Sequence, residues 1–202
     1  MDGERTTDYQ IGQALLNRVV HNQIMAFSID TSLSLPDTPV TDESSQKMVE
    51  ELSKGIIIIG DRLNKDKLFN SLIHNLAAHA DKKTFLLLVE NVFSDGQINW
   101  GRIFILFYAV GRLAVKMLLS NLPTLVLDNV NLCLDFFRAK LLAWIHKMGG
   151  WISSISALAQ FSLDSFSSSS ICNIPVSAGL VVVFMSGILL GGLLVWKLNK
   201  ST

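Results

Sequence analysis

The chain has 202 residues, enough for one domain with a substantial core, and 50% of them are hydrophobic. Its 17 lysines and arginines balance 17 acidic residues, so it lacks the basic surplus that nucleic-acid binding requires. Two cysteines, Cys133 and Cys172, are too few for a disulfide framework, which excludes the disulfide-rich secreted class and favours a cytoplasmic protein.

The first half of the chain has helical periodicity. Apolar residues recur at three- and four-residue steps in segments 8–27, 46–65, 66–80 and 81–93. Residues 28–47 are rich in Ser, Thr, Asp and Pro and are predicted to be a flexible loop. The sequence GIIIIG at 55–60 is also compatible with a short buried strand, but the helical period continues from Met48 to Leu63 and favours a helix. Because its intrinsic helix propensity is low, this helix must depend on tertiary packing.

Residues 99–119 are predicted to form the central helix of the domain. Every residue from 103 to 110 is apolar, a pattern typical of a helix enclosed by other helices or by lipid. Arg102, Arg112 and Lys116 fall on one third of the helix circumference and form a cationic stripe. That stripe suits a groove or the surface of a soluble bundle, or the water-facing side of a membrane pore.

Residues 124–148 predict an amphipathic helix that pairs with the central helix in an antiparallel hairpin. Asp128 and Asp135 lie on its polar side, and with Arg112 and Lys116 they make a fully lipid-surrounded hairpin costly. We therefore expect water or lipid headgroups to meet these four charges if the hairpin enters a membrane.

The C-terminal region predicts a membrane anchor. A short helix at 151–161 and a Ser-rich linker at 162–175 precede residues 176–196, which are 21 residues without a charge. That length spans a hydrocarbon core of about 30 Å. A buried core helix is the alternative, and a lipid-anchor signal is excluded because the N-terminus has no secretory signal. The sequence thus predicts an all-α globular helical bundle at 1–161 around the central apolar helix, with a C-terminal transmembrane tail anchor.

Motifs of catalytic chemistry are missing from the sequence. The four histidines show no zinc-site spacing, and the chain has neither a glycine-rich phosphate loop nor a nucleophile elbow. We predict no enzyme activity, no metal and no cofactor.

Three short blocks resemble motifs of the B-cell-lymphoma-two (Bcl-2) family of apoptosis regulators. FSDG at 93–96 with NWGR at 99–102 is similar to that family's first homology region, and WIHKMGGW at 144–151 to its second. LSKGIIIIGDRL at 52–63 resembles the third region, the death helix. The resemblance implies a surface groove that accepts an amphipathic helix. It assigns Leu52, Ile56, Ile59, Gly60, Asp61 and Leu63 to the death helix, Asn99, Trp100, Gly101 and Arg102 to the groove, and Trp144, Gly149, Gly150 and Trp151 to the second region.

Two details resemble the killer branch of the family more than its guardians. Gln97 and Ile98 separate DG from NWGR where guardians usually have one residue, and Lys116 stands where guardians tend to have an acidic residue. The resemblance implies an effector that oligomerises and permeabilises the mitochondrial outer membrane, releases cytochrome c and promotes caspase activation. An anti-apoptotic guardian that sequesters death helices is the alternative. An unrelated tail-anchored adaptor is a third, if the motif match is accidental.

The resemblance also implies partners and location. The partners are further copies of the chain, death-helix-only activators, anti-apoptotic relatives and lipid of the mitochondrial outer membrane, and nucleic acid is not among them. The protein is expected in the cytoplasm and, as a single-pass protein, in the mitochondrial outer membrane. Asp61 of one molecule is expected to pair with Arg102 of another and to fix the register of the bound helix.

Overall fold

The computed structural model describes residues 2–29, 35, 40, 42–79 and 82–167. Within these ranges the regular structure is helical, as the sequence predicts. In chain order it comprises α1 (Asp2–Ala26), α2 (Glu43–Leu63), α3 (Lys67–His79), α4 (Lys82–Val92), α5 (Trp100–Leu119), α6 (Pro123–Phe136), a π-helical segment (Phe137–Leu141), α7 (Leu142–Lys147) and α8 (Ile152–Ser167). The isoleucine run lies inside α2, so the helical interpretation of GIIIIG is confirmed and the strand alternative is wrong.

Helix α5 is the central core element. All its residues from 100 to 111 are buried, and it contacts α1, α2, α3, α4 and α6. A helix with apolar side chains around its whole circumference requires such enclosure. The prediction that 99–119 forms the centre of the bundle is therefore confirmed.

Two predicted boundaries at the N-terminal side are wrong. Helix α1 begins at Asp2, six residues before the predicted start at residue 8, because acidic residues are favourable in the first turn of a helix. Helix α2 begins at Glu43, so the last five residues of the predicted loop 28–47 are helical. Asp42 caps α2, since its Oδ1 accepts a hydrogen bond of 2.7 Å from the Ser45 amide. The sequence DESS thus serves as a helix cap, although its composition is also that of a loop.

The hairpin partner of α5 is a continuous helix with one irregularity. The predicted segment 124–148 corresponds to α6, the π-helical segment and α7, which follow each other without a break. Phe137 and Leu141, at the two ends of the π-helical segment, are both fully buried. Beyond α7, Gly149 and Gly150 have φ values of +90° and +73°, so the chain turns in a conformation that favours glycine.

Near its C-terminus the described chain is more helical than predicted. Helix α8 extends to Ser167, so the first six residues of the predicted linker 162–175 are helical, since no glycine or proline interrupts the run. None of the helices in the described ranges combines the length and apolar character needed to cross a membrane. The predicted anchor at 176–196 lies outside the described residues. Packing divides the chain into two units, residues 1–162 and residues 163–202, and the three motifs lie in the first.

Candidate helix-binding site

The N-terminus of α5 holds an arginine whose charge is neutralised within the chain. Asn99 caps this helix, its Oδ1 accepting a hydrogen bond of 2.9 Å from the Arg102 amide. The side chain of Arg102 is 2% exposed, and its Nη1 and Nη2 both donate to the carboxylate of Asp95, the Nη2 bond measuring 2.6 Å. Nη1 also donates to the Gln97 carbonyl oxygen at 2.6 Å. The predicted groove cation is therefore present but already paired.

This pairing lowers the pKa of Asp95. Hydrogen bonds from Arg102, followed by one from the Gln97 amide, lower the pKa of Asp95 from 3.8 to about 2. Asp95 therefore carries its negative charge at physiological pH. A carboxylate held by both terminal nitrogens of a guanidinium forms the strong bidentate type of ion pair.

Aromatic packing brings the predicted first and second homology regions together. The Trp100 ring lies 5.2 Å from that of Trp144 and 5.3 Å from that of Trp151, measured between centroids. Trp151 is 1% exposed, and its Nε1 donates a hydrogen bond of 2.8 Å to the carbonyl oxygen of Asp8 in α1. Gly101 is buried beside Trp100, whereas Gly149 and Gly150 form the turn before α8. These assigned residues therefore form one structural cluster.

The predicted death helix lies in α2 with its apolar face inside the bundle. The assigned residues Leu52, Ile56, Ile59 and Gly60 are buried, Leu63 is half-buried and Asp61 is exposed. A methyl group added at Gly60 would overlap the ring of Tyr108 on α5. Glycine is therefore what lets α2 approach α5 closely. In this conformation the apolar face of α2 is not accessible to another molecule.

Asp61 and Arg102 are not paired within the molecule. Asp61 instead accepts a hydrogen bond of 3.5 Å from the side chain of Asn64, three residues further along the chain. Tyr108 lies beneath this end of α2, and burial, more than the nearby Asp61 charge, raises the pKa of Tyr108 to about 12. The intermolecular pair of Asp61 with Arg102 stays a prediction.

The four charged residues of the hairpin differ in their exposure to solvent. Arg112 is half-buried, with its guanidinium carbon 4.9 Å from the centroid of the Phe27 ring, a cation–π contact. Lys116 is also half-buried, whereas Asp128 and Asp135 are exposed on α6. Because Arg102 is sequestered by Asp95, only two members of the predicted cationic stripe reach solvent.

Several residues that shape this region were not identified from the sequence. Asp95 lies in the FSDG motif, four positions before the capping residue Asn99 and seven before Arg102, and this spacing is the signal that could have identified it. Gln23 lies on the apolar stripe of α1 and is 4% exposed, and its Nε2 donates to the Tyr108 carbonyl oxygen at 3.0 Å. Asn129 of α6 is buried against Met117. Within the described residues, no cluster of three His, Cys, Asp or Glu side chains is placed to hold a metal ion.

Comparison with known proteins identifies the family. A family model described as apoptosis regulator proteins, Bcl-2 family, matches residues 56–151. The chain is 30% identical over 159 residues to apoptosis regulator BAX of Homo sapiens. This alignment covers 79% of the chain and 73% of that protein. The chain belongs to the Bcl-2 family of apoptosis regulators. The alternative of an unrelated tail-anchored adaptor is therefore wrong.

Solved structures of this family share the fold. The crystal structure of chicken BOK matches with a TM-score of 0.61 and 20% identity, covering 76% of this chain and 98% of that chain. The crystal structure of Trichoplax adhaerens trBcl-2L2 bound to trBak BH3 matches with a TM-score of 0.57 and 17% identity. The match covers 74% of this chain and 98% of that chain. At these identities the similarity establishes the Bcl-2 fold of the described helices.

Replacing Gly60 with alanine should weaken the attachment of α2. Overpacking a core contact costs about 1–3 kcal/mol, more than the roughly 1 kcal/mol that replacing a helical glycine by alanine gains. We expect a lower free energy of unfolding in urea for full-length protein. Ile58→Ala, on the exposed side of the same helix, is the control and should change stability by less than about 0.5 kcal/mol. A Gly60→Ala protein as stable as wild type would show that Tyr108 moves aside without cost.

The Asp95–Arg102 pair should make stability depend on acid pH. Because the folded-state pKa of Asp95 is lowered to about 2, its contribution is complete above its ordinary pKa of 3.8 and is lost as the pH falls toward 2. The urea midpoints of wild type and Asp95→Asn should differ at pH 5 and converge toward pH 2. Asp42, whose pKa is also about 2, titrates in both proteins, so the difference isolates Asp95. A constant difference over this range would contradict the assignment.

Proposed function

We propose that this protein is a pore-forming effector of apoptosis that permeabilises the mitochondrial outer membrane. The observation that carries the proposal is that the chain contains both parts of a helix-in-groove contact. The death helix α2 has an apolar face buried in its own bundle, and the motif cluster at the N-terminus of α5 has the residues of a helix-binding groove. The similarity to BAX supports the effector branch.

Release of α2 is the first step of the proposed mechanism. Its four consecutive isoleucines and two glycines give it a low intrinsic helix propensity, so its position depends on packing against α1 and α5. A helix held mainly by tertiary contacts opens at a lower free energy than the central core. Once released, α2 presents Leu52, Ile56 and Ile59 to the groove of a second molecule.

The released helix then joins two molecules. Asp61 follows the apolar stripe of α2 and is already exposed, so it can face Arg102 of the partner without rearranging its own helix. Such a pair fixes register and orientation more than it adds affinity, since both charges lose water on binding. The same groove would accept the death helices of activators and of anti-apoptotic relatives.

Membrane insertion follows from the C-terminal sequence and from the hairpin. Residues 176–196 have no charge over 21 positions, which supports a tail anchor, and we place that anchor in the mitochondrial outer membrane. Asp128 and Asp135 are exposed on α6, and Arg112 and Lys116 are half-buried on α5. Charges at the centre of a bilayer are expensive, so the hairpin would line a pore that contains water or lipid headgroups. Passage of cytochrome c through that pore would promote caspase activation.

Reversing the charge at Asp61 should abolish membrane permeabilisation. The test adds purified full-length protein to mitochondria that lack their own effectors, with or without a synthetic peptide of residues 46–65, and measures cytochrome c release. Wild type should release cytochrome c in a peptide-dependent manner, and Asp61→Arg should be slower by about tenfold or more, because two cations would then meet in the groove. Glu51→Arg makes the same change in charge on an exposed part of α2 and should release at the wild-type rate.

Other results of this assay would change the assignment. Absence of release, combined with suppression of release by a known effector, would make the protein a guardian that binds death helices. Equal release by wild type and Asp61→Arg would remove Asp61 from the mechanism. If the protein neither releases cytochrome c nor suppresses its release, the helix-in-groove proposal as a whole is wrong.

A further inference from the structure

The cation that would receive a partner's carboxylate is already occupied. Arg102 is 2% exposed and its Nη1 and Nη2 both donate to Asp95. Among the described residues its Nε has no hydrogen-bond partner, so the carboxylate and the Gln97 carbonyl provide the polar contacts of the guanidinium. A carboxylate from outside cannot reach Arg102 unless Asp95 moves.

Asp95 lies on a segment that is exposed and short. The loop between α4 and α5, residues 93–99, has exposed side chains from Ser94 to Gln97. Its internal hydrogen bonds are local, from the Gly96 amide to the Phe93 carbonyl oxygen at 2.8 Å and from the Gln97 amide to Asp95 Oδ1 at 2.9 Å. Arg102 therefore joins this loop to α5, through its hydrogen bonds to Asp95 and to the Gln97 carbonyl oxygen.

We propose that Asp95 is an internal competitor for Arg102, displaced only by the carboxylate of an incoming amphipathic helix. This inference rests on the proposed helix-in-groove function and adds a selectivity step to it. The occupant it specifies is a helix with an acidic residue directly after its apolar stripe, as Asp61 stands in α2.

The charge of Arg102 gives the exchange its selectivity. A buried guanidinium that loses its carboxylate without a replacement is strongly unfavourable, so the loop stays closed in the absence of a matching partner. A second carboxylate reproduces the bidentate geometry and makes the exchange nearly balanced. An amide offers one acceptor oxygen without charge and does not displace Asp95. The apolar stripe thus supplies affinity, while the acid decides whether the loop opens.

Peptide binding to full-length protein tests the competition directly. The probes are fluorescent peptides of residues 46–65 with Asp61 or with Asp61→Asn, and the proteins are wild type, Asp95→Asn and the charge-matched control Glu90→Gln, an exposed position on α4. Removing the competitor should tighten binding of the Asp61 peptide about tenfold, as expected for charged hydrogen bonds gained without loss of others. Binding of the Asp61→Asn peptide should not change, and Glu90→Gln should behave as wild type with both peptides.

Hydrogen exchange on wild-type protein provides a second measurement that needs no variant. The Gln97 amide is protected by Asp95 Oδ1, so displacement of Asp95 should accelerate its exchange when the Asp61 peptide binds. Saturation with the Asp61→Asn peptide should leave this exchange unchanged.

The outcomes separate this inference from the function on which it rests. If wild type binds the Asp61 peptide but Asp95→Asn binds it no more tightly, or the Gln97 amide exchanges equally with both peptides, the competition is wrong and the groove stands. If no protein binds either peptide, the helix-in-groove function is wrong and the competition with it.

Discussion

The enclosure of α5 is the constraint on which the other helices depend. Its side chains are apolar around the whole helix, so any face left in water would lose the roughly 1.5–3 kcal/mol that burial of each large apolar side chain contributes. Helices α1, α2, α3, α4 and α6 all contact it. The motif residues are positioned by the same packing, because NWGR forms the N-cap and first turn of α5 and the predicted second homology region packs on Trp100.

Under the proposed function, this constraint gives α2 two roles that exclude each other. As part of the bundle it covers α5, with Gly60 against Tyr108 and Gly55 against Leu158 of α8. As a ligand for another molecule it would bury the same apolar face elsewhere. Close contacts such as these contribute to the free-energy difference between the two states.

Polar side chains buried next to α5 limit how tightly the bundle is held. Gln23 of α1 and Asn129 of α6 each have a side-chain oxygen without a hydrogen-bond partner among the described residues. A buried polar atom without a partner costs about 1–3 kcal/mol. These unpaired oxygens reduce what the packing of α1 and α6 on the central helix contributes to stability. Of the two interfaces, α1–α5 lies outside the hairpin and α5–α6 lies within it.

The sequence determined the helices, the identity of the central one and the residues of the three motifs, because helical hydrogen bonds and apolar periodicity are local. It did not determine the start of α2, since the sequence DESS is compatible with a loop or with a helix cap. Nor did it determine the π-helical segment at Phe137, because the apolar periodicity does not reveal it. Periodicity tells which face of a helix is apolar but not which neighbour covers it. Only the tertiary structure decided that Gly60 meets Tyr108 and that Arg102 pairs with Asp95, because those contacts join separate segments of the chain.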